Sequence, residues 1–257
     1  MAKIVIRKEK KQFVEELDRE VRIVKQSQYY VDDENNDFHC TDGIILKEDL
    51  NRTGKVKTKT GKEYCVFNSD FIDDYRHIKR LAQIIPLKDI GAIITATGIG
   101  PESVVLDAGT GSGAVSIFLA RFVKQVYSYD IVQEHTDIAI ENQKALGIKN
   151  VEYRQGDITK GVSEKNVDLI ILDMPEPWEC LRTIESSLKV GGFAVVYCPT
   201  ITQSADFVNS LKDNEMLLHL RTSEIIDRKW EIDERKVRPR GQEIAHSGFM
   251  SFVRKIC

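Results

Sequence analysis

Apolar positions along this chain follow two regimes. Up to about residue 70 they form short alternating runs broken by turn residues. Beyond about residue 103 they form brief β-branched runs separated by amphipathic stretches. In the first regime Lys3-Ile4-Val5-Ile6-Arg7 and Val21-Arg22-Ile23-Val24 predict strands, and the segment 38–46 predicts a turn and a strand. Thr53-Gly54 and Thr60-Gly61 mark further turns. Residues 1–70 thus read as a small N-terminal β domain. From about 70 to 98 the spacing of Ile72, Tyr75, Ile78 and Leu81, then of Ile90 to Ala96, is helical. Strand cores follow at 104–106, 126–129, 151–153, 167–172 and 193–197. Between them run helical stretches from 114 to about 124 and over 132–146, 177–189 and 202–213. This alternation predicts, over 71–257, an α/β domain with a Rossmann-like parallel sheet covered by helices on both faces. The tail from Leu217 to Arg254 holds two longer strand-like runs with no helix signal between them, which suits an antiparallel edge pair.

The richest chemistry lies in Asp107-Ala108-Gly109-Thr110-Gly111-Ser112-Gly113, between a strand and a helix. Glycines there allow a tight turn and a close ligand approach. The helix beyond offers free N–H groups and positive potential. About twenty residues on, Asp130 ends the next strand, where an acidic side chain binds ribose hydroxyls. A nucleotide-type cofactor follows. Gly109, Gly111 and Ala114 also satisfy the dinucleotide fingerprint. Asp107, however, lies where a pyrophosphate would be repelled. S-adenosylmethionine carries an ammonium, a sulfonium and no phosphate, so an acidic neighbour suits it. The plain alternative is an ordinary strand-to-helix turn.

Two further strand ends carry acids. Asp157, in Gly156-Asp157-Ile158, suits an adenine amino group or the cap of the next turn, and the residues alone do not choose. Asp173 opens Asp173-Met174-Pro175-Glu176-Pro177-Trp178, at the sheet edge where open α/β folds bind ligands. Its prolines stiffen the backbone and remove N–H donors, so Asp173 is expected to face the methyl donor. A rigid turn with a capping acid is the structural alternative. His246, taken alone, reads as an edge histidine bonded to backbone. Residues 51–62 hold Arg52, Lys55, Lys57, Lys59 and Lys62 and no acid. A phosphate-facing patch and a solvated edge strand explain them equally well.

Composition narrows the class. The 257 residues are 42% hydrophobic and 30% charged, enough for a packed core. Net charge is -3, so a nucleic-acid partner must meet a local basic patch. Cys40, Cys65, Cys180, Cys198 and Cys257 are scattered without CxxC spacing, which predicts reduced, buried thiols, no metal site and a cytoplasmic setting. Met1-Ala2-Lys3 does not open a signal peptide, and no apolar run approaches membrane length.

Together the motifs resemble the tRNA (adenine-N1)-methyltransferases that modify the T-loop. The matching pieces are Phe38-His39-x-Thr41-Asp42-Gly43, Arg80-x-x-Gln83, Lys88-Asp89, the 107–113 loop, Leu172 to Pro177, Arg238-Pro239 and His246-x-Gly248-Phe249. The first of these looks most like archaeal members. The resemblance implies a class I methyltransferase sheet with a small N-terminal β domain, a homotetramer, and a tRNA substrate. It implies that Asp107, Gly109, Gly111, Gly113, Asp130, Asp157 and Gln83 hold S-adenosylmethionine. It implies that Asp173 contacts the target adenine and that His246 joins it as a catalytic residue. One departure is Ile85-Pro86-Leu87-Lys88-Asp89, which shifts the family's proline by one and lacks the preceding ring, so base stacking by this segment is not implied. Rival readings are methylation of an isoaspartyl carboxylate or a corrin precursor, which Asp173 disfavours, and a non-enzymatic RNA-binding module.

Overall fold

The computed structural model describes residues 1–81, 83–233, 235–241 and 246–257. The alternating N-terminal runs form a four-stranded antiparallel sheet of β1 (Lys3–Arg7), β2 (Ser27–Val31), β3 (Gly54–Lys57) and β4 (Glu63–Asn68), ordered β2-β1-β4-β3. Alternation gives it one apolar face. Val5 pairs with Val66 and Val56 with Tyr64, and these pack with Val31, Ile45 and Leu50. Ile6, Cys65 and Lys55 lie in register across the other face. Two hairpins join this unit, Lys10–Val14 with Arg19–Val24 and Phe38–Cys40 with Gly43–Ile45.

The chain divides into compact units Met1–His77 and Ile78–Cys257. The boundary lies past residue 70 because the short helix Phe71–Arg76 belongs to the first unit. Asp70 and Asp73 form its capping box. Tyr75 is buried, Tyr30 donates to Asp74 at 2.9 Å, and its ring stacks on His77 at 3.9 Å.

In the second unit the strands are β5 (Val104–Ala108), β6 (Gln125–Asp130), β7 (Val151–Gln155), β8 (Val167–Leu172), β9 (Leu188–Cys198), β10 (Leu217–Ser223) and β11 (Phe249–Lys255). Their order is β7-β6-β5-β8-β9-β11-β10; the first five are parallel, and β11 and β10 run antiparallel at the edge. The strand-like runs of the tail thus form the expected edge pair, with a hairpin, Trp230–Asp233 and Lys236–Pro239, between them. Helices α1 (Leu87–Thr97), α2 (Ala114–Leu119), α3 (Gln133–Ala145), α4 (Leu181–Ser187) and α5 (Ile201–Ser210) accompany the sheet. Side chains alternate between its two cores: Val105, Leu169 and Val195 pack with Ile90, Ile93 and Leu119, while Leu106, Ile170 and Ala194 pack with Ile184 and Phe207.

Three element boundaries depart from the periodicity. The helix expected to reach about residue 124 stops at Leu119, because Asn150 Nδ2 binds the carbonyls of Ala120 and Val123. The stretch 177–189 is a 3-10 turn, Pro177–Cys180, followed by α4, with β9 starting at Leu188. Residues 70–98 are two helices, not one run. All five cysteines are free, but Cys65 and Cys257 are exposed, against the expectation of burial. Among the described residues, no helix is long and apolar enough to cross a membrane.

Candidate active site

Strand order reverses between β5 and β8, where one half of the sheet grows outward through β6 and the other through β9. Ligands of open α/β sheets bind beyond the strand ends at such a point. The chain leaving β5 turns sharply there, with the N–H groups of Gly109 and Thr110 both donating to the Tyr129 carbonyl, at 3.0 and 3.2 Å. The Asp173 N–H binds the Ala108 carbonyl at 2.9 Å. Gly109 has φ 94°, and a Cβ on it would lie 2.0 Å from the Asp173 carbonyl oxygen. Only glycine therefore lets the two loops meet.

A cleft of about 260 Å³ opens beside this junction, lined among others by Gly109, Asp130, Asp157, Asp173 and Met174. Asp130 is held rigidly: Val132 N–H donates to Oδ1 at 2.9 Å, and Gly111 N–H and His135 Nδ1 reach Oδ2 at 3.0 Å. Remaining lone pairs can accept ribose hydroxyls. Asp157 does cap the following turn, accepting from Thr159 N–H at 3.0 Å and Thr159 Oγ1 at 2.6 Å, which hold its carboxyl below the usual range. It lines the cleft as well. Among the described residues no protein donor binds the Asp173 carboxylate, and burial pushes it up to about 6.

Asp107 lies behind the glycine loop, fully buried. Its Oδ2 accepts from Ser128 at 2.7 Å, and Ser128 in turn meets Thr110 at 2.7 Å. Its Oδ1 has no partner. Burial first, then the charges of Asp173 and Asp130, push it up to about 7. The buried Ser112 hydroxyl on the same loop is likewise unpartnered. An orphaned acidic oxygen is costly and suits a cationic ligand group, not a pyrophosphate. The residues therefore fit S-adenosylmethionine. Gly113 caps α2, and Asn142 Nδ2 ties the loop to the preceding segment through the carbonyls of Ser112 and Lys79, each at 2.9 Å.

Residues 76–252 match the family described as tRNA methyltransferase complex GCD14 subunit. The tRNA (adenine(57)-N(1)/adenine(58)-N(1))-methyltransferase TrmI of Methanocaldococcus jannaschii is 32% identical over 242 residues, covering 82% of this chain and 86% of its own. The chain belongs to the GCD14 family. The Thermus thermophilus tRNA (adenine(58)-N(1))-methyltransferase TrmI is also 32% identical, over 85% of this chain and 88% of its own. Among solved structures, a SAM-dependent O-methyltransferase of Thermotoga maritima superposes with a TM-score of 0.82 at 26% identity, covering 99% of this chain and 93% of its own.

The fold of this GCD14-family chain also joins motif pieces that are remote in sequence. Asp89, fully buried, accepts from Lys88 at 2.7 Å, Ser247 at 2.8 Å and Tyr197 at 3.0 Å. Lys88 also donates to Ser247 and to the Ile225 carbonyl. A Cβ on Gly248 would lie 2.3 Å from the Tyr197 ring, which explains the glycine of His246-x-Gly248. His246 itself lies outside the cleft lining. Its Nδ1 meets Glu224 at 2.6 Å and its Nε2 the Pro199 carbonyl at 2.8 Å. Both partners are acceptors, and Glu224 before Pro199 raises the pKa of the ring. These two contacts anchor the ring.

Gln83 is exposed and does not line the cleft. Arg238 lies on the exposed hairpin, bonded to Glu231 at 3.0 Å. Ile85 is buried in the core and Pro86 caps α1, so the altered 85–87 segment is structural. Sequence reasoning missed Ser128, His135 and Asn142. Ser128 and Asn142 carried one signal, a polar residue at a position the periodicity assigns to the interior.

Proposed function

We propose that the protein transfers the methyl group of S-adenosylmethionine to N1 of an adenine in the T-loop of tRNA. The observation that carries this is Asp173, a half-buried carboxylate without a protein donor among the described residues, sharing one cleft with the glycine loop and Asp130. Bound S-adenosylmethionine supplies an electrophilic methyl on a sulfonium. Its cationic portion would favour the ionised form of Asp107 behind the loop, and Asp130 would take the ribose. Adenine N1 would take the methyl with its in-plane lone pair as the methyl–sulfur bond breaks and a neutral thioether leaves, so no residue need remove a proton first. Asp173 accepts a hydrogen bond from the exocyclic amine, orients N1, and offsets the positive charge the methylated base acquires. The base leaves its stack to reach the cleft.

A carboxylate substrate, as in isoaspartyl methylation, would meet Asp130 and Asp173 in the cleft and be repelled. Homotetrameric assembly and a cytoplasmic setting belong to the same proposal and rest on family resemblance. The deciding experiment incubates unmodified tRNA with enzyme and S-adenosylmethionine and analyses its nucleosides by mass spectrometry. N1-methyladenosine is expected. Its absence, with methyl transfer to a protein carboxylate instead, would overturn the reading.

A further inference from the structure

The N-terminal unit contains a groove of about 500 Å³ on the sheet face turned away from its own core. Ile6 and Cys65, paired across β1 and β4, form its floor with Ile23 of the first hairpin. Lys8, Lys10, Lys55 and Lys62 rim it. All four are exposed, and among the described residues none has an acidic partner within ion-pair distance. The local acids are already engaged: Glu9 by Arg22 at 2.6 Å, and Glu63 by Lys57 at 3.9 Å. Arg7, also on the groove, is paired with Asp42.

This separates the basic run 51–62 into two groups. Lys57 and Lys59 have partners, Glu63 and Asp37, and read as a solvated edge. Lys55 and Lys62 join Lys8 and Lys10, remote in sequence, around one concavity. Four cations without an ion pair among the described residues converge on a chain whose net charge is -3, Lys62 acting on Asp42 only at longer range. Like charges gathered so closely repel one another, and a polyanion relieves that repulsion.

We infer that this groove binds the sugar-phosphate backbone of tRNA. The inference rests on the reading that tRNA is the substrate. Charge complementarity selects the occupant: Lys8, Lys10, Lys55 and Lys62 rim one concavity over an apolar floor, and a phosphate backbone meets all four with one chemistry. Ammonium groups without fixed partners bind phosphates with no base preference. The N-terminal unit would thus supply affinity independent of sequence.

The test uses the full chain. A variant with Lys8, Lys10, Lys55 and Lys62 all changed to Gln is titrated with unmodified tRNA by fluorescence anisotropy across salt concentrations. The slope of log K against log salt should become shallower by about 3, from four lost contacts at roughly 0.7–0.9 each. Cofactor affinity by calorimetry should not change, whereas a misfolded variant would lose it. A second measurement needs no substitution. Maleimide modification of exposed Cys65 should slow severalfold under saturating tRNA, while exposed Cys257 reacts as before. An unaltered salt slope, or Cys65 reacting equally fast with tRNA bound, overturns the inference. So does shielding of Cys65 without tRNA together with a fall in mass by light scattering in the variant, which would assign the groove to a second copy of the chain. Failure of the wild-type chain to methylate tRNA would instead strike the proposed activity, and the nucleoside assay reads that separately.

Discussion

Removing the Asp173 carboxylate is the sharpest perturbation of the proposed chemistry. The backbone of Asp173 frames the cofactor loop, through its N–H on Ala108 and its carbonyl against Gly109. Its side chain contributes nothing to that frame, so Asp173→Ala and Asp173→Asn should leave cofactor affinity nearly intact. Losing one preorganised electrostatic partner costs on the order of a hundredfold or more in turnover, about 3 kcal/mol, which is the expectation for Ala. Asn keeps an acceptor but not the charge, and should lose less than Ala. The pH profile gives an independent check. Burial pushes this carboxyl up to about 6. Its ionised fraction then falls from about nine-tenths at pH 7 to about one-tenth at pH 5, and the charged form is the competent one. Wild-type kcat/KM should therefore fall about tenfold on acidification over that window from Asp173 alone, and Asp173→Asn should lose that component and keep only the titration of Asp107. Single-turnover methylation of tRNA at saturating cofactor measures the first effect, and steady-state rates measure the second. Near-normal rates in Asp173→Ala, or an unchanged profile in Asp173→Asn, would refute the reasoning.

Other substitutions probe the cofactor end. Asp107 is held at about 7 in the fold against 3.8 in the free side chain, so the folded state binds a proton the unfolded chain lacks between those values. Its contribution to stability is present below about pH 4 and is lost as pH rises to about 7, by at most about 4 kcal/mol; Tm of the ligand-free protein should fall over this window and Asp107→Asn should flatten the fall. Asp130→Ala should weaken S-adenosylmethionine by about 1.5–3 kcal/mol in calorimetry, and an unchanged affinity would remove Asp130 from the site. Gly109→Ala should abolish cofactor binding and lower Tm by several degrees, because its Cβ would collide with the Asp173 carbonyl at 2.0 Å. Gly111→Ala meets nothing within 4 Å and should show only the backbone strain of φ 50°, about 1–2 kcal/mol by thermal melting.

The acids at strand ends were legible because strand, turn and helix signals are local. Asp107, Asp130, Asp157 and Asp173 fall where β5, β6, β7 and β8 release the chain. Helix ends were less legible, since Asn150 stops α2 from a segment 30 residues away. The pairing of Lys88-Asp89 with Ser247 spans 158 residues from Asp89 and leaves no mark on periodicity. The surroundings of His246 were not legible from its motif. Its neighbours Ser247 and Gly248 bind Asp89 and admit Tyr197, while the ring is tied to Glu224 and Pro199. The basic run 51–62 was legible as charge, but only the fold separates its paired lysines from its free ones.

Strand β11 is later in sequence than every strand of its sheet, yet it lies between β9 and β10. On the ribosome this fixes an order of events. While residues 249–255 are still in the exit tunnel, β9 exposes its outer hydrogen-bonding edge, with Val195 and Val196 available to any passing strand. Ser247 is equally late, so the buried carboxylate of Asp89 waits for one of its three donors until nearly the whole unit has emerged. The sheet of the second unit thus cannot be completed from its N-terminal strand forward. A nascent chain that stalls before residue 249 carries the complete glycine loop and Asp173 on an open sheet, a form suited to chaperone capture or proteolysis rather than to turnover.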